Sequence, residues 1–170
     1  SDKLRVFDAA LSAMESRYQP DAILVACNTL SVLYDGTRHA KEARTPVVGI
    51  VGLGADLIAR QLAEASGGTA VVFATRTTID SGAYPRLLVK KGVPGDHIVG
   101  QACPRLAGSI ERGADSAETA NFVRTFVAEA IKRLPKNHGP LVASLSCTHY
   151  GYVRSLWEES FAAAGFPGVK

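Results

Sequence analysis

Five short, almost unbroken apolar runs alternate with longer helical patterns, and no other feature of the chain constrains its fold as strongly. The runs are Asp21–Cys27, Pro46–Val51, Thr69–Thr75, His97–Ala102 and Pro140–Ser146. A continuous apolar run of this length is typical of a parallel strand that is covered on both faces. Strands that alternate with helices predict an α/β fold with doubly wound parallel sheets.

The segments between the runs repeat apolar residues at helical spacing. The first segment does so at Leu4, Phe7, Leu11 and Met14, and the last at Tyr150, Val153, Trp157 and Phe161. The clearest helix starts at Asp115-Ser116-Ala117-Glu118, which resembles a capping box, and it ends before Pro135.

The composition permits a packed core and argues against several classes of partner. Of the 170 residues, 46% are hydrophobic and 21% are charged, which is typical of a folded globular chain. The net charge is +3 and no basic run is longer than Lys90-Lys91, so no surface for nucleic acid or a membrane is expected. No apolar stretch approaches the roughly 18 residues of a membrane-spanning helix, and the N-terminus has no signal-peptide pattern.

The three cysteines, Cys27, Cys103 and Cys147, are an odd number without a C-x-x-C pair. This pattern argues against a disulfide framework and against a zinc site. It favours a reducing, cytoplasmic compartment. Each thiol therefore serves either packing or chemistry.

Two of these cysteines follow strands in the same local pattern. One run ends in Cys27-Asn28-Thr29 and another in Cys147-Thr148-His149. Ligands of parallel sheets bind at the carboxyl ends of strands, where the positive end of the next helix lowers the pKa of a cysteine thiol. A single such cysteine is more often a small buried residue, but two matching patterns favour chemistry. Cys103, which precedes Pro104, is interpreted as structural.

Two further segments at strand ends are candidate ligand sites. Thr75–Tyr84 offers hydroxyl and N–H groups that could hold a carboxylate or phosphate, although a helix N-cap is the simpler interpretation. Gly52-Leu53-Gly54 has the G-x-G start of a dinucleotide motif, but Leu57 is present where a third glycine is needed. A tight turn between strand and helix is the favoured interpretation of these glycines.

In their order along the chain, these motifs resemble those of the cofactor-independent glutamate racemases of the aspartate/glutamate racemase superfamily. Ala26–Ser31 and Cys147–Tyr150 are similar to the paired cysteine motifs of that family. Thr75–Tyr84 is similar to its threonine-rich substrate loop, and Ala102–Pro104 with Glu111 to the segment whose acidic residue faces the motif histidine. The residues after the second cysteine favour glutamate racemases over aspartate or hydantoin racemases.

The resemblance implies a role for each matching residue. Cys27 and Cys147 would be the two acid/base catalysts, with His149 assisting Cys147 and Glu111 as the partner of His149. The substrate would be bound by Asn28, Thr29, Thr75, Thr78 and Thr148. The partner would be a small-molecule amino acid, with no cofactor and no metal, and a homodimer is expected because family members commonly form one.

The resemblance also implies a flavodoxin-like racemase fold in which two α/β lobes face each other across the site. Residues 1–66 would form part of the first lobe, residues 67–150 the second, and residues 151–170 a helix that returns toward the first. The family's N-terminal strand with its Asp-Ser-Gly motif, its Pro-Tyr-Gly loop and its final return segment have no counterpart here. The chain is therefore expected to be the middle of a longer protein.

The expected function is cofactor-independent interconversion of L- and D-glutamate by two cysteines, which supplies D-glutamate for peptidoglycan. Two alternatives stay open. One is a related racemase, isomerase or decarboxylase that acts on another carboxylic acid, of the aspartate, hydantoin or malonate type. The other is a non-catalytic fragment or binding module.

Overall fold

The five predicted strands are present and form two parallel sheets. The structure, a computed structural model, describes residues 2–42, 44–65 and 67–169. Its strands are β1 (Ile23–Val25), β2 (Val47–Gly49), β3 (Thr69–Ala74), β4 (Ile98–Ala102) and β5 (Leu141–Ser146). Strands β1 and β2 pair in one sheet, and the other has the order β4-β3-β5, with every pairing parallel. The predicted α/β class with parallel sheets is confirmed.

Helices connect the strands, as the alternating pattern predicts. Within the described residues, the α-helices are α1 (Asp2–Tyr18), α2 (Asn28–Leu33), α3 (His39–Glu42), α4 (Ile50–Glu64), α5 (Arg76–Asp80), α6 (Ala83–Lys90), α7 (Leu106–Arg112), α8 (Ala117–Ile131) and α9 (Arg154–Ala163). Short 3₁₀ helices cover Tyr34–Gly36, Gly95–His97 and Tyr150–Val153. Each parallel connection within a sheet therefore runs through helical structure, as parallel strands require.

Strand β3 lies in the middle of its sheet and is buried on both faces. Successive side chains of a strand point to opposite faces. Val71 and Phe73 accordingly pack into one core with α8 and α9, whereas Ala70 and Val72 pack into a second core with α4 and α6. All six residues of β3 are buried, so the prediction of a strand covered on both faces is correct here.

The same prediction is wrong for β1 and β2. Ile23 and Val25 of β1 pack against Phe7 and Leu11 of α1, but Leu24 between them is 66% exposed, and Val48 of β2 is 47% exposed. Leu24 and Val48 are paired neighbours on the opposite face, and no helix of the described residues buries them. An unbroken apolar run records only that both faces are apolar, not that both are covered.

Helices α4 and α9 pack on the three-stranded sheet. Val51, Ala55, Ile58 and Leu62 of α4 share a core with β3 and α6, although α4 precedes residue 66 in sequence. Trp157 of α9 packs on Phe73 of β3, with ring centroids 4.6 Å apart. The division of the chain into lobes at residues 66 and 150 stays a prediction. The contacts show that α4 and α9, which lie on either side of residues 67–150 in sequence, both pack on the three-stranded sheet.

The glycine-rich segment after β2 is helical rather than a turn. Helix α4 begins at Ile50, directly after Gly49, so Gly52 and Gly54 lie inside the helix. The expectation of a tight turn is wrong, and no loop is present there to bind a phosphate. A continuous helix satisfies the backbone groups of these residues internally, which a loop would leave open.

The N-terminus of α8 is capped one residue later than the predicted box implies. Ser116 is the N-cap, and its hydroxyl accepts a hydrogen bond from the Thr119 N–H at 3.2 Å. The Glu118 carboxylate instead accepts from the Ser109 hydroxyl and the Arg112 guanidinium. Both Asp and Ser are good caps, so the sequence pattern does not distinguish Asp115 from Ser116.

The C-terminal apolar face is buried as predicted. Tyr150, Val153, Trp157 and Phe161 all lie in the core beside β3. Their backbone, however, starts as a 3₁₀ helix and becomes α-helical only at Arg154. None of the helices in the described parts of the chain combines the length and the apolar character needed to cross a membrane.

Replacement of Ser116 by alanine removes the acceptor for the Thr119 N–H and is expected to lower the free energy of unfolding by about 1 kcal/mol. Trp157 is the only tryptophan of the sequence and shares a core with α8, so its fluorescence reports the transition in a urea titration. Asp115→Ala is the matched control and is expected to leave the midpoint unchanged, because Asp115 precedes the cap. The reverse ranking would assign the cap to Asp115.

Candidate active site

The carboxyl ends of β1, β3 and β5 meet around one small cavity of about 150 Å³. Its lining consists of Cys27, Asn28, Thr29, Thr75, Ala107, Ser146, Cys147, Thr148 and His149. The two cysteines are 120 residues apart in sequence and follow strands of different sheets, and both line this cavity because the carboxyl ends of β1 and β5 face the same space. The structure thus brings together seven of the nine sequence-predicted site residues in the lining, and the other two contact it.

Cys27 occupies the N-cap of α2, as the sequence pattern predicts. Its backbone is extended, with φ −96° and ψ 121°, and its side chain makes no capping hydrogen bond. The Cys27 carbonyl accepts hydrogen bonds from the N–H and from the hydroxyl of Ser31, at 2.9 and 2.8 Å. The Ser31 oxygen also accepts from the Ile50 N–H at 3.1 Å. Ser31 therefore holds the Cys27 turn against the start of α4.

Three threonine hydroxyls from the starts of α2 and α5 form a connected group. The Oγ1 atoms of Thr29 and Thr75 are 2.7 Å apart, and those of Thr75 and Thr78 are 3.1 Å apart. Thr75 is also the N-cap of α5, because its hydroxyl accepts from the Thr78 N–H. The helix-cap and ligand-site interpretations of Thr75–Tyr84 are therefore compatible, since the Thr75 hydroxyl caps α5 and Thr75 also lines the cavity. Thr78 lies behind Thr75 and is buried.

Cys147 belongs to a short chain of titratable groups. Its Sγ is 3.7 Å from Nδ1 of His149, and Nε2 of His149 is 2.7 Å from a carboxylate oxygen of Glu111. With Nε2 donating to the carboxylate, Nδ1 carries the lone pair and can accept the Cys147 proton. Helix α7 supplies Glu111, which extends this chain from the cavity to the exposed surface.

The environment of Cys147 differs from the sequence expectation in two respects. A turn and a 3₁₀ helix follow Cys147, so the thiol does not cap an α-helix of its own as the sequence pattern predicts. Burial raises the pKa of Cys147, and so do the charges of Cys27 and Glu111, while a hydrogen bond with the His149 backbone lowers it in part. The net effect is a raised pKa of Cys147, because burial disfavours the charged thiolate more than the single N–H favours it.

Asn28 is held from behind by a residue outside the predicted set. The Tyr84 hydroxyl donates a hydrogen bond of 2.7 Å to Oδ1 of Asn28, and both residues are buried. Burial raises the pKa of Tyr84, so its hydroxyl stays protonated and remains a donor. Sequence patterns contain no signal for this pair, because the residues lie 56 positions apart on different helices.

The remaining predicted residues also have clear positions. Thr148 lines the cavity and is exposed. Cys103 is buried beside the Tyr150 hydroxyl, which donates to the Cys103 carbonyl at 3.2 Å, in agreement with a structural role. Among the described residues, no three His, Cys, Asp or Glu side chains form a group that could hold a metal ion.

The sequence model of the Asp/Glu/hydantoin racemase family matches residues 2–169. The chain belongs to this family. It is 30% identical over 150 residues to a glutamate racemase of Roseiflexus sp. (strain RS-1), covering 88% of this chain and 52% of that protein. It is 34% identical over 137 residues to a glutamate racemase of Herpetosiphon aurantiacus, covering 79% of this chain and 49% of that protein. The chain thus spans about half the length of these relatives.

Solved structures of glutamate racemases share the fold. The enzyme from Bacillus anthracis superposes with a TM-score of 0.74 at 22% identity, over 94% of this chain and 56% of that one. The enzyme from Francisella tularensis, solved in complex with D-glutamate, gives a TM-score of 0.68 at 22% identity, over 92% of this chain and 53% of that one. The predicted racemase fold is therefore confirmed.

The raised pKa of Cys147 predicts slow modification of this thiol near neutral pH. Alkylation by iodoacetamide, followed on the Cys147 peptide by mass spectrometry, is expected to accelerate with a midpoint above the ordinary pKa of 9.0. Protonation of this thiol favours folding, so its contribution to stability is present below the unfolded-state pKa and is lost as the pH rises through the folded-state value.

Cys103 provides the internal control for this experiment. Its thiol is buried, and burial also raises its pKa, so alkylation of Cys103 is expected only after unfolding in urea. In urea, Cys147 is expected to titrate at the ordinary value. A folded-state midpoint well below that value would contradict the assignment and would favour the helix-end effect predicted from the sequence.

Proposed function

We propose that the chain carries the site of an amino-acid racemase that interconverts L- and D-glutamate, with Cys27 and Cys147 as the two bases. The observation that carries the proposal is that thiols from the ends of two different strands, β1 and β5, line one cavity of about 150 Å³. Family membership supports a racemase. Relatives named glutamate racemases, one solved with D-glutamate, support glutamate as the substrate.

Racemisation requires that a proton leaves Cα on one face and that another arrives on the opposite face. In the proposed mechanism one cysteine acts as thiolate and removes the Cα proton, while the other acts as thiol and protonates the resulting carbanion from the other side. The two sulfurs exchange roles between the directions of the reaction, and no net proton is consumed. A cysteine suits both roles because its ordinary pKa lies close to neutral pH.

The charges of the two thiols support this division of roles. A thiolate at Cys27 raises the pKa of Cys147, since two negative charges in one partly dry cavity repel each other. Two thiolates at once are therefore disfavoured, and the reacting state would hold one thiolate and one thiol. Cys147 would be the thiol that protonates the carbanion in one direction, and the thiolate that this leaves would remove the Cα proton in the other. Between turnovers, the proton of Cys147 would pass to Nδ1 of His149 while Cys27 takes a proton from solvent, so that the enzyme is ready for either direction.

The His149–Glu111 pair would make that proton transfer reversible. The 2.7 Å contact between His149 Nε2 and Glu111 stabilises the imidazolium that forms when Nδ1 takes the Cys147 proton. Glu111 is exposed, so its contribution is screened by solvent and modest. We assign His149 the role of proton acceptor and Glu111 that of its orienting partner.

Neutral donors would bind the substrate. Asn28, Thr29, Thr75 and Thr148 would supply these donors from the cavity lining, and Thr78 would take part from behind through its hydrogen bond with Thr75. The described lining of the cavity includes no Lys or Arg, so amide, hydroxyl and backbone N–H groups would hold the carboxylates. Fixed dipoles in a partly closed cavity also stabilise the charge that develops on the carboxylate as Cα loses its proton. D-Glutamate for peptidoglycan is the proposed product, and a homodimer is the proposed assembly.

Exchange of the Cα hydrogen of glutamate in D₂O tests the proposal directly, without an added cofactor. Both L- and D-glutamate are expected to exchange, with inversion, and aspartate in a parallel sample is expected to react far more slowly. Cys27→Ser and Cys147→Ser are each expected to lower racemisation by at least about 100-fold, because each removes one acid/base group.

Cys103→Ala is the matched control, since it removes the third thiol without touching the cavity. It is expected to retain racemisation. Full activity of Cys27→Ser or Cys147→Ser would remove that sulfur from the mechanism. Absence of exchange with the unaltered protein would contradict glutamate racemisation by this chain, and rapid exchange of aspartate alone would reassign the substrate.

A further inference from the structure

Gly54 and Tyr84 lie on the side of Asn28 that faces away from the cysteine cavity. They line a neighbouring cleft of about 420 Å³, and Asn28 and Ser146 line both this cleft and the cavity. Asn28 is therefore part of the wall between the two spaces. A contact that fixes the side-chain conformation of Asn28 therefore also fixes which of its polar atoms, Oδ1 or Nδ2, faces the cavity.

The hydrogen bond from Tyr84 engages the oxygen of the Asn28 amide and not its nitrogen. The phenol hydroxyl donates to Oδ1 at 2.7 Å. The Asn28 Nδ2 atom has no hydrogen-bond partner among the described residues, and it is not among their fully buried unpaired atoms. Since Oδ1 is engaged by the phenol, Nδ2 is the atom of the amide that remains free to donate to a ligand.

Gly54 provides the space that this arrangement needs. A Cβ atom at position 54 would lie 2.6 Å from the Tyr84 hydroxyl oxygen but 3.5 Å from the nearest ring carbons. Glycine is unfavourable inside a helix such as α4, so its presence there calls for a local reason. Gly52 in the same helix shows the contrast, because a Cβ at that position would meet nothing within 4 Å.

We infer that Tyr84, seated against Gly54, is a positioning residue that holds Asn28 with its Nδ2 donor toward the substrate carboxylate. Without the phenol hydroxyl, the amide can rotate and present Oδ1, an acceptor, to a carboxylate that accepts only. The inference rests on the proposed function, and it adds a specificity determinant outside the cavity. Tyr84 acts through Asn28 and touches no reacting atom.

Steady-state kinetics of glutamate racemisation test the inference through four variants. Tyr84→Phe is expected to raise KM about 10-fold and to leave kcat within about twofold, because it weakens ground-state and transition-state binding of the carboxylate equally. Gly54→Ala is expected to do the same by displacing the hydroxyl. Gly52→Ala is the matched helix control and is expected to leave both constants unchanged.

The double variant separates positioning from general disruption. Once Tyr84→Phe has removed the hydroxyl, the methyl group that Gly54→Ala adds has a ring carbon as its closest contact, at an ordinary 3.5 Å. Gly54→Ala/Tyr84→Phe is therefore expected to match Tyr84→Phe alone rather than to combine both losses. An unchanged KM in Tyr84→Phe, a loss confined to kcat, or additive losses in the double variant would each overturn the inference.

Nuclear magnetic resonance adds a measurement that does not depend on activity. The sequence contains three asparagines, Asn28, Asn121 and Asn137, so asparagine-selective ¹⁵N labelling gives three side-chain amide signals. Tyr84→Phe is expected to move the Asn28 signal and to leave the other two in place. Glutamate is expected to move the Asn28 signal in the unaltered protein.

These signals also separate failure of the inference from failure of the proposed function. If the unaltered protein neither binds nor racemises glutamate, the proposed function is wrong, and so is the role of Asn28 in binding the substrate carboxylate. A shift of the Asn28 signal in Tyr84→Phe would in that case still confirm the contact between the two side chains. If racemisation is normal and Tyr84→Phe leaves the Asn28 signal unchanged, the positioning role of Tyr84 is overturned and the proposed function is not.

Discussion

The candidate site depends on hydrogen bonds between polar side chains of the helices that follow strands of different sheets. Thr29 follows β1 and Thr75 follows β3, and their hydroxyl oxygens are 2.7 Å apart. The Tyr84 hydroxyl donates a hydrogen bond to Oδ1 of Asn28, also at 2.7 Å. Burying a polar group raises the free energy of the folded state unless the group is hydrogen-bonded. These contacts therefore stabilise the packing of α2 close to the three-stranded sheet. That packing brings the Cys27 strand end and the Cys147 strand end to one cavity.

The two cysteine motifs look alike in sequence but have different surroundings. Cys27 caps a short helix, and its side chain makes no capping bond. Cys147 lies in a turn, with an imidazole at 3.7 Å and a carboxylate behind it. This asymmetry matters for two-base chemistry, because one sulfur has its own proton acceptor whereas the other depends on the charge balance across the cavity. The third cysteine, buried beside Tyr150, shows what a purely structural thiol looks like in the same fold.

The wrong expectations concern features that a local pattern leaves undetermined. Asp115 and Ser116 are both competent caps, and only the path of the chain selects Ser116. Gly52 and Gly54 match a turn motif, yet the helix runs through them, and the packing of Tyr84 supplies a reason for the second glycine. The apolar run of β1 predicts a strand correctly, but whether its outer face is covered depends on elements distant in sequence.

The sequence by itself determined the order of strands and helices, the α/β class and the two strand ends that carry cysteine, because apolar periodicity and residue chemistry are local properties. It also singled out His149 and Thr75, which line the cavity, as candidate site residues. Only the tertiary structure decided which of these side chains meet. The Thr29–Thr75 and Asn28–Tyr84 contacts span 46 and 56 residues, and the raised pKa of Cys147 results from burial and neighbouring charges. Such effects depend on three-dimensional packing, which places residues side by side irrespective of their separation along the chain.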